Sequence, residues 1–194
     1  MKGRPEISLD PGSCILGALC ILLLPLSWNL GYFLASAVHE AAHLLVLLLL
    51  DIPVTYLRIS PVGAIIGTGP MTRLQELAST AAGPAGSFSL LILAHRFPEA
   101  ALIGAVQGVF NMLPIYPFDG GRILRIVFSI FPVEVQKKME VLTRIVAVFL
   151  LTGAVLAGIL LFPRWKLWIF SGSILILRRA FRKIPCKDAA ADVQ

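Results

Sequence analysis

Two histidines and a glutamate stand together in "AVHEAAH", residues 37 to 43, inside one of the most apolar runs of the chain. His39 and His43 are four residues apart, so on a helix of 3.6 residues per turn they lie one above the other on one face. Two imidazoles so placed can bind one metal ion through nitrogen, and Glu40 beside them can take a proton from a water at the ion. Ionisable groups within an apolar span are rare and costly, which favours chemistry over packing. One zinc ion fits best, because two histidines and a carboxylate leave a fourth position for water. A non-haem iron site uses the same ligand types, but nothing in the chain supplies a redox partner for it.

A third ligand must come from elsewhere in the chain. Asp51 lies two turns past His43, too far along the same helix to reach the same ion. Glu76 begins a later span at its edge, and His95 beside Arg96 reads as an interfacial pair. Asp119 closes "NMLPIYPFDGG", residues 111 to 121. There Pro114 and Pro117 break the helix, and Gly120 and Gly121 permit unusual backbone angles that could turn a carboxylate back into a bundle. An ordinary aspartate in a loop turn fits the same residues.

The elements that would position these groups follow from composition. The 194 residues are 57% hydrophobic and 14% charged, and the mean hydropathy is +0.85, far above what a soluble core of this size requires. The expected fold is an all-α polytopic membrane protein of about six transmembrane helices with a short membrane-associated β-hairpin. A bilayer core of about 30 Å takes roughly 20 apolar helical residues. The expected spans are residues 13–28, 30–50, 75–95, 100–117, 142–162 and 165–180, forming one domain over 1–194 with no separate soluble regulatory domain. Between the second and third spans, "VTYLRISPVGAIIGTG" is β-branched and broken by proline and glycine, which suits a hairpin. Residues 119–140 mix charge with apolar side chains and read as an interfacial cytoplasmic segment. The small residues of "STAAGPAGS" suit close helix packing.

Six spans put both termini on one side of the membrane. With a cytoplasmic N-terminus, fourteen of the 17 Lys and Arg fall inside and three outside, a strong positive-inside bias. That bias accounts for the net charge of +6 and leaves no reason to expect nucleic acid. The basic N-terminus precedes an apolar run without a cleavage site and reads as a retained first span. Cys14, Cys20 and Cys186 imply neither a disulfide framework nor a zinc knuckle.

H-E-x-x-H in an early span, followed by the later N-x-x-P-x-x-P-x-D-G-G, resembles the site-2 proteases, zinc metalloproteases that cut transmembrane substrates. "NMLPIYPFDGGR" is most similar to the SpoIVFB-type sporulation proteases, and the hairpin and "AAGPAG" sit where that family has comparable elements. The resemblance covers residues 30 to about 125. It implies His39, His43 and Asp119 as zinc ligands, Glu40 as general base, and Asn111 near bound substrate. It also implies a membrane-tethered protein substrate, inhibitory membrane partners, and a bacterial cell membrane or mother-cell-derived forespore membrane as the location. Met112 stands where relatives often have proline. A metal or proton transporter would need polar residues strung through several spans, and Glu40 and Gln107 are nearly alone in theirs. A homologue that only binds or masks a partner would not require Glu40.

Overall fold

The computed structural model describes residues 6–60, 63–115 and 118–161. The expected span at 165–180, and also Pro61 and Pro117, lie outside the described residues. The described chain is mostly helical with one three-stranded sheet. One compact unit ends at Met112 and a second begins at Leu113.

The first unit starts with strand β1 (Glu6–Leu9) and helix α1 (Pro11–Leu23). Asp10 caps α1 by accepting from the Gly12 N–H at 2.9 Å, and Pro11 occupies the first turn, where its missing N–H costs nothing. Helix α1 ends because Pro25 forces Leu24 into an extended conformation. Helix α2 (Leu26–Leu49) follows at once. The expected boundary near residues 28–30 therefore moves back to Pro25. Asn29, buried inside α2, ties off the break by donating to the Leu24 and Pro25 carbonyls at 2.9 and 3.4 Å.

Helix α2 is the one described helix long and apolar enough to cross a membrane. Its 24 residues extend about 36 Å at 1.5 Å per residue. Besides Asn29, the side it buries is a ladder of five residues spaced four apart, Gly31, Ala35, His39, His43 and Leu47, while most of the rest is exposed apolar surface. Asp51, with φ of 56°, closes the helix. Its N–H reaches the Leu48 carbonyl at 3.1 Å and the Ile52 N–H reaches Leu47 at 2.9 Å, an end that places Asp51 outside the helix.

Strands β2 (Val54–Ser60) and β3 (Gly63–Thr68) form the expected hairpin. Strand β1 was not expected; it pairs parallel to β2 and leaves β3 at the sheet edge. Helix α3 (Arg73–Ser89) begins with a capping box between Thr72 and Gln75 and runs into a 3-10 turn at Leu90–Leu93. Together they cover most of the expected third span. Helix α4 (Pro98–Asn111) matches the fourth but stops at Asn111. Helices α2, α3 and α4 pack mutually, at close range where glycines allow it. A Cβ on Gly31 would meet the Ala100 nitrogen at 3.1 Å, and one on Gly104 would meet the Ser87 carbonyl oxygen at 2.9 Å.

The second unit contains α5 (Asp119–Phe128) and α6 (Val133–Leu161), which pack on one another. The expected interfacial segment is thus an amphipathic helix and the first turns of a longer one. Helix α6 begins nine residues before the expected span, its early turns carrying the exposed pairs Lys137–Glu134 and Arg144–Glu140.

Candidate metal centre

The histidine pair is built by two helices running in opposite directions. On α2, His39 and His43 are 3% and 9% exposed. Opposite them, α3 presents Ser79, Gly83 and Ser87, again four residues apart and therefore on one face. His43 Nδ1 donates to the Ser79 carbonyl oxygen at 2.7 Å. That oxygen can only accept, so Nδ1 carries the proton and Nε2 presents its lone pair. His39 Nδ1 stands 2.8 Å from the Ser87 hydroxyl oxygen, which can accept in the same way. Each imidazole is thereby oriented through the nitrogen that does not face a metal.

The two Nε2 atoms are 3.3 Å apart. Two nitrogens bound to one tetrahedral zinc at 2.0–2.1 Å stand about 3.3 Å apart. Gly83 makes the arrangement possible. A Cβ there would lie 2.1 Å from His43 Nε2 and 2.8 Å from His39 Nε2, so any side chain would enter the space both nitrogens face. Close approach of a glycine backbone also recurs at Gly86, whose Cβ would meet Ala42 Cβ at 2.6 Å.

Asp119, 7% exposed, is the first residue of α5, with Phe118 as the residue before it. The expected reason for the flanking glycines is not met. Among the described residues the glycine with positive φ is Gly63, and Gly120 lies in the first turn of α5, where it is buried. In the first unit His39 and His43 offer two imidazole nitrogens, and in the second Asp119 offers a carboxylate oxygen. Two imidazole nitrogens and a carboxylate oxygen form a ligand set that suits zinc.

Glu40 is partly buried and turned from the histidine ladder toward the hairpin, where its Oε1 accepts from the Ala64 N–H at 3.1 Å. Asn111 ends α4, and its side-chain amide donates to the Gln107 carbonyl one turn back at 3.1 Å. The rejected ligand candidates sit in ordinary places. Asp51 closes α2, Glu76 is in the first turn of α3 where a negative charge suits the helix dipole, and His95 is exposed. Ser79, Gly83 and Ser87 were legible only as small packing residues. The signal that could have found them is their spacing, which repeats that of the two histidines.

Residues 93–153 match the peptidase family M50, a stretch that includes Asp119 but not the two histidines. Zinc metalloprotease MJ0392 of Methanocaldococcus jannaschii is 29% identical over 111 residues, half of this chain. The chain spans about a third of that relative's length, 33%. The solved site-2 protease from Methanocaldococcus jannaschii superposes with a TM-score of 0.62 at 21% identity, covering 93% of this chain and 92% of that one. The fold is therefore that of a site-2 protease, and the resemblance drawn from the two motifs is borne out at the level of that group.

Proposed function

We propose that this chain is a zinc-dependent endopeptidase of the site-2 protease type, cutting a membrane-tethered protein within the bilayer. The observation that carries the reading is the buried pair His39 and His43, their Nε2 atoms 3.3 Å apart, beside Glu40 on a helix apolar enough to cross a membrane. Bound zinc would polarise a scissile carbonyl and acidify a water. His39, His43 and Asp119 would hold the ion. Glu40 accepts the water's proton and passes it to the leaving amine. A helical substrate hides its carbonyls in its own hydrogen bonds, so the segment to be cut must unwind. The open edge of β3 gives such a segment main-chain partners, with Asn111 near the bound chain.

The fourteen-to-three distribution of Lys and Arg supports six crossings with both termini in the cytoplasm. The substrate then meets the site from within the membrane. The finer assignment, a sporulation sigma-factor precursor cut in a mother-cell-derived membrane, is supported by the likeness of "NMLPIYPFDGGR" alone. Neighbouring sporulation genes would strengthen it, and their absence would remove its support.

Co-expression with a single-span reporter substrate tests the activity. Wild type should cleave it and Glu40→Gln should not, a loss of at least about 100-fold for removing a general base. Equal cleavage by both would falsify the mechanism. Metal analysis tests the ligands independently, since stoichiometric zinc retained by both His43→Ala and Asp119→Asn would sink their assignment.

A further inference from the structure

The hairpin does more than lie beside α2, because one of its main-chain amides is bonded to Glu40. Its geometry follows from the sheet. The Ile59 carbonyl accepts from the Asp10 N–H at 2.9 Å, on the β1 side of β2. Along a strand, the N–H and C=O of one residue point to the same side, so Ile59 faces β1 with both. Its antiparallel partner in β3 is Ala64. Ala64 therefore turns its own N–H and C=O away from β2, toward the open edge. Ile66, two residues on and paired with Leu57, faces the same way. At that edge the Ala64 N–H meets Glu40 Oε1 at 3.1 Å. Gly63, with φ of 118°, brings the strand in at this point, and a Cβ on it would stand 3.6 Å from the same oxygen.

A carboxylate has two oxygens, and a general base needs one of them aimed at its water. We propose that the Ala64 amide is a positioning group for catalysis. It anchors Oε1 of Glu40 so that Oε2 is held ready to take the proton. The two outward amides of β3 then have separate duties: Ala64 serves the base and Ile66 is the first that an extended substrate can use. The scissile bond lies at the Ala64 end of the paired segment. This inference rests on the peptidase reading.

The full-length zinc-loaded protein in lipid vesicles, cleaving a single-span reporter, provides the test. Ala64→Pro removes the N–H at an edge position that proline tolerates. It should lower kcat at least about tenfold with KM within about twofold and zinc content unchanged. Ala64→Gly keeps the amide and should stay within about twofold of wild type. Ile66→Pro should raise KM and leave kcat within about twofold. The residual cleavage of a Glu40→Gln background, followed over long incubation, should fall no further with Ala64→Pro, because the group it positions is gone. A rise in KM alone for Ala64→Pro, or an equal fall in both backgrounds, would overturn the proposal. Should Ala64→Pro not fold, amide hydrogen exchange decides: the Ala64 N–H should exchange faster in Glu40→Ala than in wild type. Unchanged exchange overturns the inference whether or not the protein cleaves anything, whereas absent cleavage with faster exchange overturns the peptidase reading alone.

Discussion

Helix α2 is held differently on its two working flanks. Toward α3, both histidines are buried, each has its Nδ1 engaged, and glycine backbone fills the remaining gap at Gly83 and Gly86. Toward the hairpin, Glu40 is only partly buried and is bonded to a single main-chain amide of a partly exposed strand. A metal needs ligands fixed within a few tenths of an ångström, and dense packing supplies that. A base must move a proton and admit a substrate, which a lightly held edge allows. The contrast puts a firmly held imidazole pair and a lightly held carboxylate on one helix.

The sharpest way to break this contrast is to fill the gap on the rigid side. Gly83→Ala should push His43 off its position and lower zinc affinity about 100-fold, the upper end for disturbing a ligand's support. Chelator competition measures it, and wild-type affinity would mean that α3 does not constrain the pair. Ser87→Ala should lower zinc affinity about tenfold or more through loss of His39 orientation. Ser79→Ala makes the contrasting case. Its partner to His43 is a main-chain carbonyl that alanine keeps, so affinity should stay within about twofold.

Gly86→Leu tests packing without chemistry. The new side chain meets Ala42 and the Val38 carbonyl and should destabilise the fold by about 1–3 kcal/mol in a detergent unfolding titration. Zinc affinity of the folded fraction should be unchanged. The smallest effect belongs to the exposed side. Arg58, 3.2 Å from Asp10 across the sheet surface, makes a solvent-screened pair, and Arg58→Ala should cost less than about 1 kcal/mol. A larger loss would show that the sheet is held more firmly than its exposure implies.

The helices, the hairpin and the metal motif were legible because each writes itself in local pattern. A histidine pair at four-residue spacing, a long apolar run and a β-branched stretch cut by glycines need no distant partner to be recognised. Helix ends were less legible. The first break falls at Pro25, whose effect on Leu24 is local, yet the expected boundary stood at residues 28–30, where Asn29 is a buried cap on that break. Strand β1 was hidden because four alternating residues are too few to stand as a strand until β2 is beside them.

By itself the sequence determined the chemistry available: two imidazoles, a carboxylate and an apolar helix to carry them, since these depend on residue type and helical period. It also nominated Asp119, through its proline and glycine surroundings, although the structure gives those glycines a helical role. Only the tertiary structure decided what orients that chemistry. Ser79 acts through its carbonyl, Gly83 through a missing side chain, and Ala64 through its N–H. Main-chain groups and empty space are nearly the same at every residue, so their roles arise only when folding brings a particular partner within reach.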